Sequence, residues 1–394
     1  MLAPDRTVIM VSAMLKLTWR RVAAWRVRRN YLDQRAPAGS MLAVASRLCG
    51  LHAQVMSSAE LTAWARVEHL ERGVLEGALW KSRMLVKTWA MRGTLHLLPR
   101  DELALWHAAL GTNRRYLRPA LWKKYYGITL EELDHLTEAV ATALDGRTMT
   151  RDELAREVGR LTGSPAFGAK LALSSWGTVL KPAAFTGRLC FGPSLGQRVR
   201  FTRPDTWLAE TGHSLGPAVD PQAASAAVAR RFLAAYGPAT FHDIARWWGG
   251  GGIATARQWI ASLGDEVTAV DLEGERAWML AAHLREAREL PPLRSVRLLP
   301  GFDQYVVAAS CHAGHLLPGD LRSRVYRPQG WLSPVLLVNG RMEGTWRHEV
   351  KGSRVEVVIE PFVKAPAWIR RAAGHEAERL AAFLGCALNL VWKA

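Results

Sequence analysis

The chain has 394 residues, of which 49% are hydrophobic, and it carries a formal net charge of +17 at pH 7. This length is enough for two or three domains with a substantial core. The charge surplus exceeds what solubility requires and favours a polyanionic partner, with nucleic acid as the leading candidate. A membrane surface is disfavoured, because the sequence has neither an unbroken apolar span nor a long lysine-rich amphipathic tract.

The first 13 residues are predicted to be an N-terminal extension. The apolar patch VIMVSAML has no preceding basic region and no small-residue cleavage site, so secretion is not expected. Met14 is a candidate start of translation, since the patterned sequence LKLTWRRVAAWRVRRNYL begins directly after it.

Cysteine usage and cofactor motifs limit the chemistry further. The four cysteines, at positions 49, 190, 311 and 386, are far apart in the chain and lack the paired spacing of a zinc site. Cys311, His312 and His315 have no fourth ligand at a recognisable spacing. The sequence also lacks a phosphate-cradling glycine loop, a dinucleotide fingerprint and the HExxH and GxSxG motifs. We therefore expect a cytoplasmic protein with reduced thiols, no metal site and no cofactor.

The stretch LCGLHAQVMSSAEL sets two hydrogen-bonding side chains, His52 and Gln54, on either side of one small residue. On a helix such positions diverge, whereas on an extended or turning backbone they can converge. Ser57 and Ser58 followed by Glu60 predict the start of a new helix, so the pair is expected at a break between helices. The alternative is a partly buried histidine beside an unrelated surface amide.

A recurring order of two helices and a glycine-turned hairpin indicates tandem winged helices. The clearest copy spans 237–280, where Thr240 is a predicted helix cap, glycines 249–252 a break, and Glu273-Gly274 a hairpin turn. A second copy begins at TMTRDELAREVG and ends in GRLCFGPSLGQRVRFTRP. A looser copy occupies about 41–100 and closes with MLVKTWAMRGTLHLLP. Winged helices bind DNA in many proteins but also serve as protein-interaction modules.

The middle copy carries a strong positive charge. No acidic residue lies between Glu157 and Asp205, which predicts a phosphate-binding face on its second helix and wing. The alternative for any one of these cations is a solvated surface charge. The candidate DNA-binding residues are Lys181, Arg188, Arg198, Arg200 and Arg203.

The last third of the chain is rich in strand-like runs. The runs SVRLLPGFDQYVVAA, PVLLVNGRMEGTWRHEV and RVEVVIEPF are separated by glycine turns, which predicts a small antiparallel β domain. The segment APAWIRRAAGHEAERLAAFLG is predicted to be a helix that closes the chain. The expected fold class is thus α+β, with winged-helix repeats followed by a β domain. The predicted domains are the extension (1–13), an N-terminal winged-helix domain with the His52 segment (14–135), a second winged helix with a basic wing (136–210), a third winged helix (211–290), and the C-terminal β domain with its closing helix (291–394).

Seven collinear stretches resemble the AlkZ family of winged-helix DNA glycosylases, bacterial proteins that excise bulky or crosslinking alkylpurines. The stretches are TWRRVAAWRVRRNYLD, LCGLHAQ, MRGTLHLLPRDEL, LKPAAFTGRLCFGP, GPATFHDIARWW, LLPGFDQYV and VNGRMEGTWR. The catalytic signature of that family is a glutamine, an apolar residue, then a glutamine or aspartate. It aligns with His52, Ala53 and Gln54, so this chain departs from the signature at its first position.

The resemblance implies three tandem winged helices, a C-terminal β domain and a monofunctional glycosylase without a cofactor. It implies catalytic roles for His52 and Gln54 and a pocket lined by Arg92, Thr94 and His96. The expected partner is double-stranded DNA with alkylpurine adducts of the N7-alkylguanine type, bound by a monomer in the cytoplasm at the nucleoid. The expected role is DNA repair or self-resistance to a genotoxic natural product.

The resemblance also suggests a hairpin that probes DNA near the lesion. The candidate is the Asn339-Gly340 turn with Arg341, Trp346 and Arg347, although core packing is an equal alternative for Trp346. The competing hypothesis for the whole chain is a non-catalytic winged-helix DNA-binding protein, either a transcriptional regulator or an architectural protein. Such a regulator would discriminate among sequences, whereas a glycosylase would discriminate by lesion.

Overall fold

The computed structural model describes residues 14–113 and 118–393, so the predicted extension at 1–13 lies outside the described residues. The described chain is a mixed α/β structure whose helices surround three small sheets and one larger sheet. None of the helices in these two ranges is long and apolar enough to cross a membrane.

The first part of the chain builds a three-stranded sheet in the order β2-β4-β3. The turn between α2 and β2 is tight because Cys49 and Gly50 both adopt positive φ angles, 60° and 92°. The elements are β1 (Leu15–Leu17), α1 (Trp19–Arg29), α2 (Met41–Arg47), β2 (Leu51–His52), α3 (Met56–Trp64), α4 (Val74–Trp80), β3 (Leu85–Trp89), β4 (Leu95–Pro99), α5 (Leu103–Gly111) and α6 (Pro119–Tyr126).

The middle part builds a second three-stranded sheet in the order β5-β7-β6. Thr129 and Thr150 each start a helix with a capping box, in which a threonine hydroxyl and a glutamate satisfy free backbone amides. The elements are α7 (Leu130–Ala143), β5 (Met149–Thr150), α8 (Arg151–Leu161), α9 (Pro165–Leu173), α10 (Lys181–Phe185), β6 (Cys190–Leu195), β7 (Arg198–Thr202) and α11 (Pro204–Ala209).

The third part follows the predicted turn signals closely. Thr240 caps its helix as predicted, the helix ends at Gly249, and the hairpin turns at Glu273-Gly274. β1 pairs in parallel with β8 and completes a β1-β8-β9 sheet. The elements are α12 (Pro221–Tyr236), α13 (Phe241–Trp248), α14 (Gly252–Ser262), β8 (Val267–Leu272), β9 (Glu275–Leu280) and α15 (Leu284–Glu289).

Each of these three parts combines helices with a three-stranded sheet. Their assignment as winged helices, and the boundaries at 135, 210 and 290, stay predictions. The participation of Leu15–Leu17 in the third sheet shows that the beginning of the chain is tied to residues more than 250 positions away.

The C-terminal part is a five-stranded sheet in the order β10-β11-β12-β13-β14. Its elements are β10 (Val296–Leu299), α16 (Gln304–Ala308), α17 (Ala313–Leu316), α18 (Arg322–Val325), β11 (Val335–Val338), β12 (Arg341–Lys351), β13 (Arg354–Pro361), α19 (Ala367–Leu384) and β14 (Ala387–Trp392).

The prediction of a purely antiparallel sheet closed by a helix is wrong at this end of the chain. The helix α19 crosses over between β13 and β14, so these two strands run parallel and the sheet is mixed. The run SVRLLPGFDQYVVAA is also only partly a strand. It leaves the sheet after Leu299, and Asp303 caps a short helix that begins at Gln304.

The first part of the chain packs directly on the C-terminal sheet. Val27 on α1 and Trp64 on α3 belong to the same apolar core as Leu298 and Leu336 on the sheet strands. This packing matters for the site, because it brings the turn that follows β10 against the strand that carries His52.

Candidate active site

The centre of the candidate site is a row of polar side chains across the sheet of the first part. His52 on β2 is paired with His96 on β4, and His96 is paired in turn with Thr88 on β3. Residues that face each other on neighbouring strands share one side of a sheet, so these three side chains lie next to one another. All three are buried, and His52 is 5% exposed.

The local backbone confirms that the signature segment lies between helices. His52 ends β2, the amide of Ala53 donates to the Leu95 carbonyl at 2.7 Å, and the next helix begins at Met56. The predicted helix start at Ser57 and Ser58 is therefore close to the observed one, but neither serine caps the helix, because Val55 occupies the N-cap position without a side-chain hydrogen bond. Gln54 is exposed at the bend.

Burial keeps the imidazole of His52 uncharged. Desolvation, followed by the nearby charge of Arg92, lowers the pKa of His52 to about 3. The Nδ1 atom of His52 is buried without a hydrogen-bond partner among the described residues. An unpaired polar atom inside a protein costs free energy, so such atoms are rare and call for an explanation, of which a functional role is one.

His96 and Arg92 extend the polar row. The Nδ1 atom of His96 lies 3.0 Å from the Thr94 carbonyl, which makes it the protonated donor and leaves Nε2 as an acceptor 3.5 Å from Arg92 Nη2. Desolvation lowers the pKa of His96 well below its usual value. Burial also lowers the pKa of Arg92, to about 10, which leaves the guanidinium charged at neutral pH.

The structure therefore brings two of the three predicted pocket residues to His52. Arg92 donates a hydrogen bond to the Trp247 carbonyl on α13, which links the row to the third part of the chain. The hydroxyl of Thr94, the third predicted pocket residue, donates to the Met91 carbonyl at 3.0 Å and so stabilises the turn between β3 and β4.

An aromatic side chain that the sequence reasoning missed covers the row. The ring of Phe302 is stacked on the ring of His52, with a centroid distance of 5.1 Å and an interplanar angle of 4°. Phe302 has a φ angle of 60°, which is strained for a bulky residue and must be imposed by its surroundings. The ring of Trp331 also contacts Phe302, with a centroid distance of 5.2 Å and an interplanar angle of 55°.

Two buried interactions hold Phe302 in place. Asp303 forms a bidentate ion pair with Arg66, with both N–O distances at 2.7 Å and both side chains fully buried. The Gln304 amide nitrogen donates to the Gly50 carbonyl at 2.7 Å. The turn 301–304 is therefore attached both to the end of α3 and to the turn that precedes His52. The stretch LLPGFDQYV matched the resembled family, but no local pattern revealed these contacts.

The predicted phosphate-binding residues differ in their environments. Arg188 forms an ion pair with Glu138 at 2.7 Å, and Arg203 forms pairs with Asp205 at 2.7 Å and Asp145 at 3.0 Å. Of the other three, Lys181 is half-buried at the start of α10, Arg200 donates to the Pro193 carbonyl at 2.7 Å, and Arg198 is exposed on the β6–β7 hairpin.

The hairpin predicted to probe DNA has its turn and its tryptophan packed against the protein, while its two arginines reach the surface. A Cβ atom on Gly340 would lie 2.9 Å from Cβ of Ala23, so the turn abuts α1. Trp346 is 3% exposed, and its indole donates to the Leu299 carbonyl at 2.7 Å. Alternation along β12 turns this side chain toward the core. Arg341 is half-buried beside Glu343, at 3.0 Å, and only Arg347 is exposed.

The histidines after Cys311 also have structural partners. His312 Nδ1 lies 3.0 Å from Asp243 Oδ1, its Nε2 contacts Arg26, and His315 stacks on Trp19. Within the described ranges, no group of three or more histidine, cysteine or acidic side chains could hold a metal ion.

Comparisons with known proteins agree with this architecture. A family model described as DNA glycosylase AlkZ-like matches residues 45–383. An interstrand DNA cross-link repair glycosylase of Streptomyces sahachiroi is 38% identical over 372 residues, which cover 93% of this chain and 96% of that protein. The solved structure of the Streptomyces sahachiroi DNA glycosylase AlkZ superposes with a TM-score of 0.84 at 36% identity, covering 96% of this chain and 100% of the other.

The fold and these matches define a DNA glycosylase, a hydrolase that acts on N-glycosyl bonds. More specifically, the chain belongs to the AlkZ-like DNA glycosylase family. This membership favours the enzyme over the non-catalytic regulator or architectural protein.

Proposed function

We propose that this glycosylase hydrolyses the N-glycosidic bond of bulky alkylated purines of the N7-alkylguanine type in double-stranded DNA. The observation that carries the proposal is the buried, uncharged His52 with an unpaired Nδ1, two residues before Gln54, which is exposed at the bend after the strand. Arg92 and His96 border this pair, and Phe302 covers it.

The chemistry of the substrate sets what the residues must do. A purine alkylated at N7 is positively charged and is already a good leaving group, so no strong general acid is needed. The enzyme must instead orient a water molecule and stabilise an oxocarbenium-like sugar. The amide oxygen of Gln54 can accept a hydrogen bond from the water and face the developing positive charge.

His52 supplies the proton acceptor in this scheme. Water adds its oxygen to C1′, the C1′–N9 bond breaks with its electron pair passing to the purine, and the water proton moves to an unprotonated imidazole nitrogen. A protonated imidazolium would oppose the cationic sugar. Because burial keeps His52 neutral at pH 7, histidine can stand where the family signature has glutamine without adding a positive charge.

The proposal extends to the range of adducts and to the biological role. The Streptomyces relative is an interstrand DNA cross-link repair glycosylase, and we propose crosslinked purines as a further class of substrate. The activity would serve either general DNA repair or self-resistance to a genotoxic natural product. We propose that the protein acts as a monomer, without a cofactor, in the cytoplasm at the nucleoid.

Product analysis tests this function. A duplex with one bulky N7-alkylguanine is incubated with excess protein, and the free base is identified by mass spectrometry. A monofunctional glycosylase leaves an abasic strand that breaks only after alkali. We expect base release by the wild-type protein and a loss of at least about a hundredfold in His52→Ala, the lower end of what a positioned proton-transfer group contributes. Gln54→Ala should lose a similar factor, about what one group that faces developing charge contributes.

Two matched variants control for general damage. His107 is a half-buried histidine, and desolvation lowers its pKa to about 4, but it lies on α5 outside the row. Gln34 is an exposed glutamine like Gln54. His107→Ala and Gln34→Ala should retain the rate of base release. Tight DNA binding without release of any adduct would contradict the proposed function.

A further inference from the structure

A short loop presents an aromatic side chain next to the candidate active site. The loop spans 326–332, and Trp331 at its end is 53% exposed. Tryptophan is enriched at binding surfaces, where its large ring supplies contact area and its indole N–H can meet a polar partner. Ring contacts lead from the buried row to the surface: Phe302 is stacked on His52 with ring centroids 5.1 Å apart, and the Trp331 ring, tilted by 55°, lies 5.2 Å from Phe302.

The loop holds its shape through its own hydrogen bonds. Tyr326 and Leu332 form an antiparallel bridge, and the amide of Arg327 donates to the Trp331 carbonyl at 2.8 Å. The Tyr326 hydroxyl donates to the Val306 carbonyl at 2.8 Å, which anchors the loop to α16. Trp331 is therefore presented by a constrained support attached to the helix that follows Phe302.

The charge around the loop suits a nucleic acid. Arg322, Arg324 and Arg327 are all exposed on or beside it. Arg324 is 3.2 Å from Glu360 and Arg322 lies over the Tyr326 ring, whereas Arg327 has no ion pair with any described carboxylate. An aromatic platform flanked by arginines is the arrangement that binds a planar base while the charges contact phosphates.

We propose that Trp331 is a substrate-contacting residue that stacks on a planar aromatic group of the lesion-bearing nucleotide. The inference rests on the proposed function and extends it by assigning a site for the flat part of the substrate. That group is either the purine itself or an aromatic ring of the adduct. In both cases Trp331 and Phe302 together line the approach to His52.

The experiment uses duplexes of one sequence that differ only in the substituent on one guanine, N7-methyl or an N7-linked planar aromatic ring. Trp331→Ala, Trp331→Phe and the wild-type protein are compared in single-turnover base release. Affinity is measured separately on 2′-fluorinated duplexes that resist base loss. Tyr125→Ala is the matched control, because Tyr125 is 66% exposed on α6, which contributes no residue to the site.

Stacking on an aromatic side chain predicts that Trp331→Ala loses roughly 5- to 150-fold in release rate or affinity, with substantial recovery in Trp331→Phe. A loss confined to the aromatic adduct assigns the stacking partner to the adduct ring, and a loss on both duplexes assigns it to the purine. Unchanged rates and affinities on both duplexes would overturn the inference.

The two proposals can fail separately. If the wild-type protein releases no base, the proposed function fails, and the affinity measurements still decide the role of Trp331. Loss of the preference for adducted over undamaged DNA in Trp331→Ala would then support stacking, and an unchanged preference would exclude it.

Discussion

The uncharged state of His52 predicts how base release responds to acid. An ordinary histidine with a pKa of about 6.5 is about nine-tenths protonated at pH 5.5, so an enzyme that needed it neutral would lose about tenfold in rate. Desolvation and Arg92 lower the pKa of His52 to about 3. Less than about 1% of His52 is then protonated at pH 5.5, and we expect the rate to change by less than about twofold from pH 7.5.

The assay is single-turnover base release from an N7-alkylguanine duplex across this pH range, with the spontaneous loss of base measured at each pH. His52→Gln is the control, because glutamine does not titrate. The expected wild-type profile is flat and declines only toward the lowered pKa. An inflection near pH 6 to 7 in the wild-type protein that is absent from His52→Gln would refute the reasoning.

The same lowered pKa affects stability. Below about pH 6.5 the unfolded chain binds a proton at position 52 that the folded protein excludes until about pH 3, so acidification through this window lowers the free energy of unfolding. His52→Gln removes this contribution. Urea unfolding at several pH values should therefore show that the variant loses less stability on acidification than the wild-type protein.

Three further predictions concern the support of the site and the contact with DNA. Asp303→Asn should lower the free energy of unfolding by about 3–5 kcal/mol in urea titrations, because it leaves the buried charge of Arg66 uncompensated; an effect under about 1 kcal/mol would contradict this. Gly50→Ala should destabilise the fold and slow base release, since the residue has a φ of 92° and a Cβ would lie 2.6 Å from Leu98 Cδ2; unchanged unfolding and release would show that the turn tolerates a side chain. Arg198→Ala should reduce the slope of log affinity against log salt concentration by about the value of one phosphate contact. Arg203→Ala should reduce this slope by less, because Arg203 is already ion-paired. Equal slopes for the two variants would argue against the β6–β7 hairpin as a phosphate contact.

Local sequence signals predicted much of the fold. The cap at Thr240, the helix end at Gly249 and the Glu273-Gly274 turn depend on residues within a few positions of each other, and the structure has all three. The same holds for the helix break at His52, because the Cys49-Gly50 turn and the bend after Ala53 are short-range features.

Contacts between distant segments could not be predicted in the same way. Phe302 reaches His52 only because Asp303 and Gln304 bind residues more than 200 positions earlier in the chain. The orientation of Trp346 depends on which face of β12 packs on the core. The sequence of the strand alone does not determine that face, because it depends on the strands and helices that pack beside it. The parallel strand β14 likewise depends on where α19 packs after β13.

The central claim is that His52 and Gln54 act in bond cleavage rather than in holding DNA. The most direct measurement compares, for Gln54→Ala and His52→Ala, the rate of base release at saturating protein with the affinity for a non-hydrolysable adducted duplex. We predict that the rate falls by about a hundredfold or more in each variant while the affinity stays within about twofold. A loss of affinity that accounts for the whole loss of activity would contradict the claim and assign both residues to DNA positioning.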